Sequence, residues 1–315
     1  MKNVATISSL LSEFFIRYGQ KYLDQSSQNL ITVSFKRFTD FGGDMKVREI
    51  TVEEAEIFHT FLVEDKCSKV TANNYLSNIV RVFNWAMDSG KVDTNPFAKV
   101  KKFKIAQKSV VVYTVDELRR LFNVSRDDEL MQAYIWQGLA TLRRGEIMNL
   151  TLHDLDFEAK MITIQPKYDT KETWEWFPKN RKIRMIPMVD KVEKILINRI
   201  NALPSGQPYV NIPAKRYSYL RSRLGVLTER QKKKPLQNFD RTFRRVRQRA
   251  YLDGNFHQLR RSGLTMMLEE GEAPHVVQMI AGHSSIKTTQ KYIGQKQSYL
   301  SGAHITLNRA ISSVG

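Results

Sequence analysis

The 315-residue chain has a single cysteine, Cys67, so it cannot form an internal disulfide and nothing in it favours an oxidising compartment. No stretch approaches the roughly 20 consecutive apolar residues of a membrane span. The opening segment MKNVATISSLLSEFFIRYGQKYL is interrupted by Ser12, Glu13, Arg17 and Lys21, which break up any leader-like apolar run. The expectation is a cytoplasmic protein with no membrane partner. A Walker-type glycine-rich loop is missing, so no nucleotide cofactor is implied. No Asp/Glu set of the kind that holds magnesium accompanies the motifs described below, and neither a metal nor any other cofactor is expected. Internal repeats and low-complexity tracts are also absent.

Acidic residues are in short supply: 32 Asp and Glu face 50 Lys and Arg, giving a formal charge of +18 and a pI near 9.9. Such a surface suits a polyanion, because basic side chains displace counterions from phosphates. The plainer reading of the same charge is an ordinary basic protein. With 42% hydrophobic residues the chain can build a core in each of two domains.

Residues 1–100 read as amphipathic helices. Ile7, Leu10, Leu11, Phe14, Phe15, Tyr18 and Tyr22 recur at helical spacing, and Thr51 with Glu54 forms a capping box. A further helix carries Tyr75, Leu76, Ile79, Val82, Phe83 and Ala86 and stops near Gly90. Asn95-Pro96 then breaks the pattern. The basic segment 101–112 reads as a linker that either tracks a DNA backbone or is a solvated loop. Residues 113–315 form a second domain with a C-terminal tail. Thr114 and Glu117 open it with another capping box, and a helical pattern runs through Leu142 and on to Leu150. Strand-like runs at Met161–Ile164 and Ile183–Ile186 flank a long hairpin rich in lysine and tryptophan, in which packing is the favoured role for Trp174 and Trp176. Helical pattern resumes at Asp190. The fold class is therefore mostly α with a small antiparallel sheet. Between Phe239 and Tyr251, an apolar face of Phe239, Phe243, Val246 and Ala250 is surrounded by five arginines, suited equally to phosphates or to solvent.

Three short motifs stand out: Ala140-Thr141-Leu142-Arg143-Arg144-Gly145-Glu146, His257-Gln258-Leu259-Arg260-Arg261, and the run from Gly282-His283 to Tyr292. Singly, each residue has a structural explanation: surface charge for Arg143 or Arg260, packing for one tyrosine among 12, a satisfied core site for a histidine. Together they are chemically coherent. The chemistry implied by the resemblance named below is one they can support: attack at a phosphodiester builds charge on the non-bridging oxygens, which fixed cationic donors stabilise. Arginine's planar fork suits that task, and His257 and Arg260, three apart, share a helix face. Glu146 reads as a structural partner orienting the first motif, since an acid facing the phosphate would repel it.

In this order and spacing the motifs resemble those of the tyrosine recombinase family. Its first box reads Thr-Gly-Leu-Arg-x-Gly-Glu and its second His-x-Leu-Arg, and a Gly-His pair precedes the nucleophilic tyrosine. Ala140-Thr141 departs from the first box where Thr-Gly is usual. The resemblance spans nearly the whole chain and implies an N-terminal helical core-binding (SAM-like) domain and a catalytic domain closing as a C-shaped clamp on duplex DNA. It also implies a homotetramer on paired sites, with accessory DNA-bending proteins as further partners. By resemblance the catalytic residues are Arg143, Lys167, His257, Arg260, His283 and Tyr292. Tyr292 is the nucleophile, Arg143 and Arg260 the phosphate clamp, His257 a general acid/base, His283 a phosphate donor and Lys167 the acid for the leaving 5′ oxygen. Lys171, Lys179 and Lys182 share that hairpin and are alternatives to Lys167. Apolar positions after Tyr292, among them Leu300 and Ile305, suit a tail that docks on a neighbouring subunit or folds back on its own domain. Two other activities use related features: strand relaxation by a type IB topoisomerase, and DNA binding without catalysis.

Overall fold

The computed structural model describes residues 6–106, 110–290 and Tyr292. The tail beyond Tyr292 lies outside the described residues. The chain divides into two compact units, Met1–Lys108 and Ser109–Gly315.

The first unit is helical. Helices α1 (Ile7–Phe14), α2 (Gln25–Gly42), α3 (Val52–Glu64) and α4 (Lys69–Asp88) start at Thr6, Asp24, Thr51 and Ser68, whose side-chain oxygens accept backbone N–H groups of the first turn. The Thr51–Glu54 box forms in both directions. A π turn at Phe15–Gly19 carries α1 on to Tyr22. Apolar faces meet in an aromatic core where Phe38 lies edge-on to Phe58 (4.9 Å) and Phe97 (5.1 Å). The segment after Val100, read from sequence as the start of a linker, is tied to this unit: Asn73 exchanges two hydrogen bonds with the Phe103 backbone, and His59 stacks on the Phe103 ring at 4.2 Å.

The second unit packs helices around a three-stranded antiparallel sheet, β1 (Leu155–Asp156), β2 (Met161–Ile164) and β3 (Arg184–Pro187), in the order β1-β2-β3. Its helices are α5 (Val115–Val124), α6 (Glu129–Leu139), α7 (Arg144–Met148), α8 (Asp190–Asn201), α9 (Ala214–Arg221), α10 (Glu229–Lys233), α11 (Phe239–Arg249), α12 (His257–Glu269), α13 (Pro274–Ala281) and α14 (Ile286–Gln290). The Thr114–Glu117 box starts α5. The pattern read as continuous helix to Leu150 is instead broken at Ala140–Arg143, between α6 and α7.

Two contacts fix what surrounds the site. Helices α6 and α12 approach so closely that a Cβ on Gly263 would lie 1.9 Å from the Leu139 carbonyl oxygen, a position only glycine fills. The β2–β3 hairpin is anchored by its tryptophans. Trp174, fully buried, stacks on Tyr209 at 4.0 Å and donates its indole N–H to Asn149, and Trp176 is also buried. Both pack, as the sequence favoured. Ile164 pairs with Arg184 and Lys167 with Trp176, so residues 177–183 leave the ladder as a loop opposite only residues 165 and 166.

Candidate active site

Both motif segments emerge from the C-terminal ends of helices by the same turn. At the end of α13, Gly282 takes φ +60°, its N–H bonding to the Met279 carbonyl and that of His283 to the Gln278 carbonyl. At the end of α6, Thr141 occupies the equivalent left-handed position at φ +74°, its N–H bonding to Gly138 and that of Leu142 to Gln137. The turn expected of a glycine is thus kept by a β-branched residue, which is strained there. The Thr141 hydroxyl is buried and has no hydrogen-bond partner among the described residues.

Turns of this kind leave carbonyls at the negative end of the helix, and three arginines collect on them. Arg260, buried on α12, donates to the carbonyls of Thr141 and Ala281. Arg143 also donates to Ala281, at 2.9 Å, and Arg184 of β3 donates to Ile280 at 2.9 Å. Glu146 ties two of them, Arg143 and Arg184, together. Its carboxylate accepts the Arg143 backbone N–H (2.8 Å), the Arg143 guanidinium (2.9 Å) and the Arg184 guanidinium (2.6 Å). Burial works to raise the Glu146 pKa, but Arg184 and Arg143 overcome it and hold the carboxyl below its ordinary value. Burial, then the charge of Arg143, brings the Arg260 pKa down to about 9, which leaves it protonated at neutral pH. Two guanidiniums therefore pair with one buried carboxylate and a third lies within its field, and of the two paired arginines Arg143 is the more exposed, its side chain 22% accessible.

Two imidazoles and a phenol complete the cluster. His257 opens α12; although its surface is exposed, desolvation of the ring leads in lowering its pKa to about 4, followed by Arg260, Arg261, Arg143 and Lys179. His283 is lowered to about 4 as well, by desolvation and then by Arg260, Arg143, His257 and Arg184. Both rings are neutral at pH 7 and able to accept a proton. His283 shares a hydrogen bond with Thr289 through Nδ1 at 2.9 Å, and its ring lies parallel to that of Tyr292 with centroids 5.9 Å apart. The Tyr292 ring packs with Leu264, Leu268 and Val277.

Arg143, His257, Arg260, His283 and Tyr292 are thus gathered by the fold. Lys167 is elsewhere engaged: its side chain is 9% exposed and donates to Asp154 at 2.6 Å and to the Gln165 carbonyl at 3.2 Å. Lys179, in the loop outside the ladder, is exposed, and its charge reaches His257. Sequence reasoning missed Arg184. The available signal was its phase, two residues before the buried Ile186 on the same face of β3. Arg144, neighbour of Arg143, turns away to pair with Asp240. Among the described residues no three His, Cys, Asp or Glu side chains form a metal-holding group.

Residues 112–298 match the phage integrase family, and residues 11–105 match the phage integrase SAM-like domain. The tyrosine recombinase XerC of Oceanobacillus iheyensis is 25% identical, covering 93% of this chain and 95% of its own. The ICEBs1 integrase of Bacillus subtilis is 22% identical, over 83% of this chain and 71% of its own. Among solved structures, the Tn1549 transposon integrase bound to a circular intermediate DNA superposes with a TM-score of 0.74 at 20% identity, covering 96% of this chain and 99% of that one. A lambda integrase tetramer on a Holliday junction superposes at 0.69 and 16% identity, covering 92% and 78%.

Proposed function

The chain belongs to the phage integrase family of tyrosine recombinases, and from that premise we propose that it cuts and rejoins duplex DNA at specific sites through a 3′-phosphotyrosyl intermediate, moving a mobile element into or out of a larger DNA. The observation that carries this reading is the convergence of two guanidiniums, two neutral imidazoles and a tyrosine around one outward-facing positive patch.

The steps follow from those groups. Arg143 and Arg260 bind the non-bridging oxygens of the scissile phosphate, with His283 as a further donor. The phenolic oxygen of Tyr292 attacks phosphorus while its proton passes to neutral His257. The bond from phosphorus to the 5′ oxygen breaks, and that oxygen takes a proton as it leaves. Lys179 is the better donor for it than Lys167, because the Lys167 ammonium is committed to a buried carboxylate while Lys179 is exposed and within electrostatic reach of His257. Attack on the phosphotyrosine by a 5′ hydroxyl from a partner strand reverses these transfers and reseals the DNA. The bond energy is conserved throughout. A homotetramer on paired sites is the assembly that exchanges both pairs of strands, with accessory DNA-bending proteins as partners.

The test is covalent capture. Wild-type protein incubated with a pool of randomised duplexes should give a denaturant-resistant adduct enriched in one sequence, and Tyr292→Phe should bind the enriched duplexes yet give none. Adduct from Tyr292→Phe would show another nucleophile. Adducts without sequence enrichment would indicate a topoisomerase-like relaxing activity instead.

A further inference from the structure

Arg184 stands at the junction of three parts that the chemistry needs held together. Through its Nη2 it bonds to Glu146, which orients Arg143; through its Nε it bonds to the Ile280 carbonyl, at the helix end that launches Gly282 and His283. Its own backbone pairs with Ile164 in the sheet. The fit to the Gly-His turn is close: a Cβ on Gly282 would lie 2.9 Å from the Arg184 Cδ. With 9% of its side chain exposed and its fork already engaged at both ends, Arg184 has little left to offer a phosphate.

The charge balance explains what it does there. Glu146 is buried and divided between two guanidiniums. Without Arg184 the carboxylate has only Arg143 left as an ion-pair partner, and nothing ties it to the Ile280 carbonyl that Arg184 also holds. A lysine keeps the positive charge but cannot span a carboxylate and a carbonyl with one planar group.

We propose that Arg184 is a positioning residue for strand cleavage: bridging Glu146 and Ile280, it holds Arg143 and the Gly282-His283 segment at a fixed separation without itself meeting DNA. This rests on the recombinase reading above and adds to it a residue outside the resemblance-derived set.

The experiment uses the duplexes enriched by wild-type capture and measures single-turnover adduct formation over a range of protein concentrations. Arg184→Lys should lower the maximal rate by about 100-fold, the scale of a small displacement transmitted to reacting groups, while the half-saturating concentration stays within about twofold. Arg184→Met should lose at least as much, and the Lys variant decides the matter if the Met variant does not fold. Glu146→Gln should also slow cleavage, and the double variant Glu146→Gln/Arg184→Lys should be no slower than the slower single one, because one linkage is broken in each case. Wild-type rates in Arg184→Lys overturn the proposal. So do multiplicative losses in the double variant, and so does a loss confined to half-saturation that tracks a falling melting temperature. Failure of the recombinase reading is seen separately, as the absence of any Tyr292-dependent adduct from the unmodified protein.

Discussion

Thr141 stands where the usual first box has glycine, and it keeps the glycine's conformation at a cost. A β-branched residue at φ +74° carries about 1–3 kcal/mol of strain, and its buried hydroxyl is unsatisfied as well. Against this, glycine has more conformational freedom to lose on folding, about 0.5–1 kcal/mol, and the substitution removes the methyl of a buried side chain. Thr141→Gly should therefore stabilise the second unit by about 1 kcal/mol, a rise of about 2–4 °C in melting temperature for a unit of this size. Cleavage should be retained, because Arg260 is held by the Thr141 carbonyl and not by its side chain. Calorimetry checks the first statement and adduct formation the second; a lower melting temperature would mean that the methyl packing outweighs the strain.

Among the elements, the β2–β3 hairpin carries the lysines proposed as the acid for the leaving group. Lys179→Ala should slow cleavage by about 10²–10⁴-fold, the usual contribution of a positioned acid, and a duplex with sulfur at the bridging 5′ position should restore the rate, since a thiolate leaves without a proton. Lys167→Ala should instead show its main effect in stability, because it leaves Asp154 buried without its ion pair. If Lys167→Ala is the variant that sulfur rescues, the ammonium must leave Asp154 when DNA binds, and the assignment reverts to Lys167. This is also where sequence reading reached its limit. The capping boxes, the helical periods and the three motifs were legible because each is a local pattern. Which hairpin lysine is free was not, because the Lys167–Asp154 pair and the departure of residues 177–183 from the ladder join segments distant in sequence. The break between α6 and α7 was hidden for a related reason. No glycine marks it, and the left-handed Thr141 accompanies two contacts distant in sequence, the close approach of α12 to the end of α6 at Gly263 and the Arg260 bond to the Thr141 carbonyl. Arg184 looked like one more cation until β3 placed it in phase with Ile186.

For the whole molecule, the question is where a charge of +18 meets DNA. Inside the cluster around Glu146 the excess is modest, three guanidiniums against one carboxylate, so most of the attraction has to come from elsewhere. Helix α11 is a strong candidate: Phe239, Phe243, Val246 and Ala250 are buried, which leaves Arg241, Arg244, Arg245 and Arg249 exposed together. The sequence could not distinguish a phosphate-binding face from a solvated one, and salt dependence can. Each phosphate contact releases counterions, so the logarithm of affinity falls with the logarithm of salt by about 0.9 per contact. Arg244→Gln and Arg245→Gln should each weaken binding to all duplexes alike and reduce that slope by about 1, while leaving the cleavage rate at saturation unchanged. Arg143→Lys should do the reverse, sparing affinity and slope but depressing cleavage, because it keeps the charge and loses the fork. An unaltered slope in both α11 variants would make that face solvent-exposed surface and move the search for backbone contacts to the basic segment 101–112 and the cations of the first unit.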